Sequence, residues 1–255
     1  MSVELNGVVA LVTGASSGIG EATARKLSAS GAAVALIARR KERLDLIAAQ
    51  MTASGGRALP IDADIAGSGR ASAAVERVIS EYGRLDVVVN CAGALLSGSI
   101  VDTPPDDWER MLDVNVRGLL AVCHAALPHL LNAARTEPRY VADIVNVSSV
   151  AGRTVRSDIA IYSMTKWGVG VYSEALRQEV TSRYVRIAVI EPGATAPSEL
   201  ANDLPPDAAD QMHQRLDGIT PLTADNVAEA IAFVVTRERG VAINEILMRP
   251  TSQTF

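Results

Sequence analysis

Tyr162 and Lys166 stand four positions apart in the run Tyr162-Ser163-Met164-Thr165-Lys166, a short way beyond the serine pair Ser148-Ser149. On a helix that spacing puts an ammonium one turn from a phenol on the same face. A phenol titrates near ~10 and a neighbouring cation favours the phenolate, so the pairing predicts a tyrosine with its pKa drawn down, able to give or take a proton. A proton donor so placed is worth roughly 10²- to 10⁴-fold in rate, and a hydroxyl such as that of Ser149 can hold a carbonyl oxygen as negative charge develops on it. Surface helices also contain Tyr-x-x-x-Lys pairs by chance, so the pair gains meaning from what else the chain sets beside it.

The first such element is a glycine-rich turn. Thr13, Gly14, Ala15, Ser16, Ser17, Gly18, Ile19 and Gly20 follow an apolar run at 8–12 and precede a segment of helical composition at 21–30. Strand, glycine turn, helix is the arrangement in which backbone amides and a helix N-terminus face a pyrophosphate. The glycines are spaced G-x-x-x-G-x-G, which differs from G-x-G-x-x-G, and a tight strand-to-helix turn would use glycines in the same way. At the end of the second strand an acid would bind a ribose 2′-hydroxyl and repel a 2′-phosphate. The chain has Ala38-Arg39-Arg40-Lys41 there. Arg39 offers a bidentate grip on phosphate, with Arg40 beside it, so NADP(H) is expected over NAD(H), although a solvated charge run opening a helix would read alike.

The elements that position these groups follow from composition and period. With 255 residues, 48% hydrophobic and only 4% aromatic, the chain can bury a large aliphatic core, which excludes disordered, collagen-like and disulfide-scaffold classes. The 24 Lys and Arg against 29 Asp and Glu leave a net charge of -5, which argues against an extended nucleic-acid or anionic-lipid footprint. Cys91 and Cys123 form no CxxC pair, and with no signal peptide or membrane span legible in the sequence the expectation is a cytoplasmic protein. Strands are expected at 8–12, 33–38, 57–61, 87–90, 144–147, 186–190 and 245–248, alternating with helices. Val75, Val78, Ile79 and Tyr82 form one buried helical stripe; Val227, Ile231 and Val234 form another. The fold class is therefore α/β: a doubly wound, Rossmann-like parallel sheet of about seven strands with helices on both faces, one domain over 1–255. Residues 192–223, rich in proline, break the rhythm and are read as a substrate-covering flap.

Taken together these segments resemble the short-chain dehydrogenase/reductase family over essentially the whole chain. Thr13 to Gly20 is similar to its TGxxxGxG turn, and Asn90-Cys91-Ala92-Gly93 to its NNAG element with Cys in place of the second Asn. Asn115, in Asp113-Val114-Asn115-Val116, matches its helix asparagine; Ser149, Tyr162 and Lys166 match its catalytic serine, tyrosine and lysine. Pro192-Gly193 matches the segment that packs near the nicotinamide. The resemblance implies hydride transfer between NADP(H) and a carbonyl or alcohol, with reduction of a ketone or aldehyde favoured and Tyr162 as general acid. Lys166 would lower the tyrosine's pKa and hold ribose hydroxyls, Ser149 would polarise the carbonyl, and Asn115 would keep a water and Lys166 in a proton relay. Asp64, with Ile65 next to it, would contact adenine; the Asn90 backbone, with Ala92 and Gly93, would border the adenosine ribose.

Two departures stand out. Cys91 removes an amide that supports the sheet in relatives, and the threonine expected three or four residues after Pro192-Gly193 is replaced by an early Thr195, Pro197 and a late Ser198. The C-terminal stretch at 244–251 resembles a subgroup of NADP-dependent reductases of small hydroxy acids and of aldehydes such as the clavulanate precursor. A homotetramer is implied by the family, with the helix around 119–131 and the helix after Tyr162 as contact surfaces. Leu95, Ser97, Arg153 and Arg156 are candidates to meet substrate. His124, His129 and His213 lack metal-ligand spacing, so no metal is expected. Two rival readings are a non-catalytic NADP-binding redox-sensing module and an NAD-dependent alcohol dehydrogenase.

Overall fold

A computed structural model of the protein describes residues 4–101, 103–196, 199, 209–210, 214 and 216–254. Seven strands, β1 Val9–Thr13, β2 Ala33–Ala38, β3 Arg57–Asp62, β4 Val87–Asn90, β5 Ala142–Val147, β6 Val185–Pro192 and β7 Glu245–Met248, form one sheet. Every pairing is parallel and the order is β3-β2-β1-β4-β5-β6-β7. The chain moves outward from β1 to β3, then returns to place β4 on the other side of β1. That reversal opens a crevice at the carboxyl ends of β1 and β4, where ligands bind in open α/β sheets.

Both faces of the sheet are covered, which is why the strands are apolar almost throughout. Alternate residues of β1 go to opposite layers: Ala10 and Val12 to one, Val9 and Leu11 to the other. Helices α1 Gly18–Ala29, α2 Lys41–Ala53 and α7 Ala224–Val235 cover the first face through Leu27, Leu44 and Ile231. Helices α3 Arg70–Tyr82, α5 Leu119–Ala133 and α6 Ala160–Val180 cover the second through Val78, Leu130 and Leu176. The stripe Val75, Val78, Ile79, Tyr82 lies on α3 and the stripe Val227, Ile231, Val234 on α7, as their period requires.

Between α4 Pro105–Leu112 and α5 the helix continues through a π-helical stretch, Asp113–Gly118. Such widened turns re-aim side chains and recur at functional sites. The continuous helix Pro105–Ala133 is apolar and long enough to cross a membrane by length and composition alone. Its apolar residues Leu119, Val122, Cys123, Ala126 and Leu130 are spent inside the core against the sheet.

The amino ends of β5 and β6 carry a buried ion cluster. Arg186 binds Asp143 with two nitrogens at 2.7 and 3.0 Å, and Arg139 adds a third contact at 2.8 Å. The same arginines donate to the carbonyl of Val235 at the end of α7, and Arg186 also reaches those of Arg237, Glu238 and Val241. Asp143 is 1% exposed and Arg186 6% exposed, so removing the charge of one partner strands the others in a medium that penalises them. Asp143→Asn is expected to cost about 3–5 kcal/mol. Urea unfolding of the two proteins measures it, and a loss below about 1 kcal/mol would mean that the cluster is solvated.

Candidate active site

A cleft of about 470 Å³ lies at the carboxyl ends of the strands. Its first wall is the glycine turn. Gly14 has φ +66° and a Cβ there would lie 2.9 Å from the backbone of Ala92; a Cβ on Gly20 would lie 2.3 Å from the carbonyl oxygen of Gly14. Only glycine lets the turn fold back on itself and approach the end of β4 so closely. Thr13 fastens the same junction, accepting hydrogen bonds from the amides of Cys91 and Ala92 at 3.1 Å. Gly14, Ser16, Ser17, Gly18, Ile19 and Gly20 all line the cleft, and α1 starts at Gly18, so its first-turn amides are available to an anion.

Arg40, not Arg39, reaches this turn. Its guanidinium donates to Ser16 Oγ at 3.1 and 2.8 Å and to Ser17 Oγ at 2.8 Å, while Arg39 is exposed on the cleft rim. Both arginines lie in the turn between β2 and α2, whose backbone decides which of them faces the glycine turn. The structure also brings an acid to the spot: the Glu199 carboxylate, remote in sequence, pairs with Arg40 at 2.5 Å and with Arg43. Burial alone would raise its pKa, but hydrogen bonds from Arg43, Ser17 and Arg40 hold it down at about 2.

Opposite, Asp64 and Ile65 line the cleft, with Asp64 Oδ1 accepting from the Ala66 amide at 3.1 Å. Ala92 and Gly93 line it as expected, together with Cys91, whose thiol burial pushes up to about 12. Asn90 does not line it. Its side chain points into the sheet layer, donating to Asn146 Oδ1 at 2.8 Å and to Cys123 Sγ at 3.3 Å. Pro192, Gly193 and Thr195 line the far end, where the Thr195 hydroxyl turns back to the Gly193 carbonyl at 3.1 Å. Pro197, Ser198 and His213 lie outside the described residues, as does much of the 192–223 segment.

Ser149, Tyr162 and Lys166 share this cleft. Ser149, two residues beyond β5, caps a 3₁₀ turn, its Oγ accepting from the Ala151 amide at 3.1 Å, and it hydrogen bonds the Tyr162 phenol. Gly152 makes that turn possible, since a Cβ there would meet Ser148 Oγ at 2.8 Å. Lys166 Nζ donates to the Val147 carbonyl at 2.9 Å and stands 5.7 Å from the centre of the Tyr162 ring. The two side chains face each other, one helical turn apart.

The electrostatics depart from expectation. Burial pushes the Tyr162 phenol up to about 12, against the pull of the Ser149 hydrogen bond, and burial brings the Lys166 ammonium down to about 8. Desolvation of the charged form is the largest cause of both shifts. The Asn115 side chain closes a reciprocal pair with Ala94 at 2.8 and 2.9 Å and donates to Thr165 Oγ1 at 3.1 Å. It ties the loop after β4 to α6, and the side chain is not on Lys166.

On the substrate side Leu95, Ser97 and Arg156 line the cleft, Arg156 paired with Asp158 at 2.6 Å. Arg153 does not; it clamps buried Glu191 at 2.8 Å and Glu245 at 2.5 Å. Leu216, from the 192–223 segment, lines the cleft, and Arg110, Val114 and Gln253 line it without a sequence signal, because they arrive from helix α4, the π-helical stretch and the C-terminal end. Gln253 Oε1 accepts from the Ala194 amide at 2.9 Å and so props the Pro192-Gly193 turn. Trp167 faces outward at 45% exposure and lines nothing here. Among the described residues no group of three or more His, Cys, Asp and Glu is placed to hold a metal ion.

The sequence pattern of the short chain dehydrogenase family matches residues 8–209. The chain belongs to the short-chain dehydrogenase/reductase family. It is 35% identical over 242 residues to an uncharacterized oxidoreductase of Staphylococcus epidermidis, covering 95% of this chain and 96% of that one. A metagenomic short-chain oxidoreductase solved in complex with NADP is 31% identical, covers 98% of this chain and 100% of its own, and superposes with a TM-score of 0.81. A short chain dehydrogenase of Burkholderia cenocepacia, also solved with NADP, is 32% identical with a TM-score of 0.83 and coverage of 96% and 97%. The chain is therefore an oxidoreductase of this family, with the family's seven-stranded fold.

The glycine packing generates a test. Gly20→Ala forces a methyl against the Gly14 carbonyl, so the turn must open. Overpacking of this kind costs about 1–3 kcal/mol. The expected outcome is a lower melting temperature together with weakened dinucleotide binding by fluorescence titration; unchanged binding would show that the close approach is dispensable.

Proposed function

We propose that this protein is an NADP(H)-dependent reductase of ketones or aldehydes, a single domain over 1–255 with a substrate-covering flap at about 192–223 and Tyr162 as general acid. The observation that carries the reading is the meeting of Ser149, Tyr162 and Lys166 in the same cleft as the glycine turn. The cleft residues fit a dinucleotide: a glycine turn where Gly14 and Gly20 leave no room for a Cβ, a helix N-terminus, and Arg40 with Ser16 and Ser17 as donors for a 2′-phosphate. NADP(H), when bound, supplies the hydride. The NADP complexes of the two structural relatives support the same cofactor.

Everything else belongs to the chain. Held near 12, the Tyr162 phenol is protonated throughout the neutral range, which suits it to donate a proton to a developing alkoxide. Ser149, hydrogen bonded to that phenol, is placed to receive the same substrate oxygen. Lys166, cationic below about 8, opposes the negative charge left on Tyr162 and has the reach to hold ribose hydroxyls. Asn115 acts at one remove, holding the Ala94 loop against α6, so that any part in a proton relay falls to its main chain.

Leu95, Val114, Ile159 and Leu216 make the substrate end apolar, with Ser97, Arg110 and Arg156 as its polar fixtures. That mixture supports small aldehydes or hydroxy-acid precursors, the substrates suggested by the 244–251 stretch. We also assign the protein to the cytoplasm, in keeping with its free cysteines. A homotetramer is supported by the exposed stripe Met164, Trp167 and Val171 on α6.

Tyr162→Phe is expected to lower reductive kcat by roughly 10²- to 10⁴-fold while NADPH binding stays within about twofold. Single-turnover and titration measurements on a panel of carbonyls check both, and turnover equal to the parent ends the assignment. Reductive kcat is also expected to fall as pH rises through about 8, because Lys166 is charged below that value and neutral above it. A rate flat from pH 7 to pH 9.5 would remove Lys166 from the step.

A further inference from the structure

The cradle assigned to the 2′-phosphate holds a carboxylate from the chain itself. Glu199 receives Arg40 Nη1 at 2.5 Å, Arg43 Nη1 and the Ser17 hydroxyl. Arg40 meanwhile keeps its other nitrogens on Ser16 and Ser17, so the guanidinium is the shared wall between the glycine turn and this acid. Carboxylate and phosphate draw on the same donors: a planar guanidinium fork, a hydroxyl and a second cation. The two anions cannot occupy one cradle together, since like charges at contact repel. Phosphate brings more charge and more acceptor oxygens. Arg39 borders the cleft as well, so positive charge exceeds what one carboxylate neutralises.

We propose that Glu199 is a specificity-determining residue: an internal anion that competes with the 2′-phosphate of NADP(H) for Arg40, Arg43 and Ser17 and must leave that cradle when the phosphate arrives. The inference rests on the NADP(H) reading above. Its consequence is that NADP(H) is discriminated from NAD(H) less sharply than the arginines alone would impose, because the 2′-phosphate contacts to Arg40, Arg43 and Ser17 replace ones already made. NAD(H), which lacks that phosphate, has no need to displace the carboxylate. The competing contacts are half-exposed, with side-chain exposures of 42% for Arg40, 52% for Arg43 and 34% for Glu199, so their effect on apparent affinity is about 3- to 30-fold.

Fluorescence titration of the full-length chain, its Glu199→Gln variant and a control Glu42→Gln with NADPH and NADH tests this. Calorimetry with 2′,5′-adenosine diphosphate and 5′-adenosine monophosphate repeats the comparison without the nicotinamide. The expected result is NADPH and 2′,5′-adenosine diphosphate binding about 3- to 30-fold tighter in Glu199→Gln, with NADH and 5′-adenosine monophosphate within about twofold. Glu42→Gln removes one nearby negative charge from α2 and is expected to change neither. If the parent prefers NADPH and Glu199→Gln leaves its affinity unchanged or weaker, or if Glu42→Gln reproduces the gain, the competition is overturned and the cofactor assignment stands. If the parent prefers NADH and Glu199→Gln weakens it, Glu199 is a ribose-hydroxyl acceptor, and the cofactor assignment falls together with the competition.

Discussion

Burial of the Lys166 amine beside the Tyr162 ring sets the terms for the whole site. An ammonium at 6% exposure survives only with a partner, and its hydrogen bond to the Val147 carbonyl supplies one from the last residue of β5. That bond locks α6 against the strand end from which Ser149 follows, so the phenol, the hydroxyl and the amine are oriented by one contact. The same burial lowers the lysine to about 8 and raises the tyrosine to about 12, which leaves a readily deprotonated cation and a protonated phenol side by side. The protonation of two desolvated groups held in this way is set chiefly by exclusion of water.

The parallel sheet delivers the groups to that contact. All its strands end on one side, so Gly14 after β1, Cys91 after β4, Ser148 after β5 and Gly193 after β6 converge without any long-range design beyond topology. The π-helical stretch turns Asn115 inward to grip Ala94, and Gln253 grips Ala194 from the opposite end of the chain. Each fixes a loop that borders the reacting region, and such support is what holds catalytic geometry within tolerance.

How much of this was legible beforehand varies with the range of the interaction concerned. β2, β4 and β7 are expected and found with the same ends, and Gly14 to Gly20 are placed as the turn requires, because hydrophobic runs and steric demands on glycine are local. Ser149, Tyr162 and Lys166 come together because one spacing is helical and the other joins a strand end to the next helix. Arg40 hydrogen bonds the glycine turn while Arg39 stays on the cleft rim, the Asn90 side chain turns into the sheet layer, and Tyr162 is shifted upward instead of downward. Each of these depends on facing or on dehydration, and a sequence displays neither.

By itself, then, the sequence determined the alternation of elements, the parallel sheet, the glycine turn after the first strand and the spacing that brings Ser149, Tyr162 and Lys166 into one cleft, since all of these are written in short-range period and residue type. Only the tertiary structure decided which arginine meets the glycine turn, that Glu199 completes that cradle, that Asn115 and Gln253 brace the loops, and which way the buried groups titrate. Those outcomes are sums over neighbours that lie tens to hundreds of positions apart, and electrostatics at short distance in a dry medium is settled by the neighbours, whatever the order in which the chain supplies them.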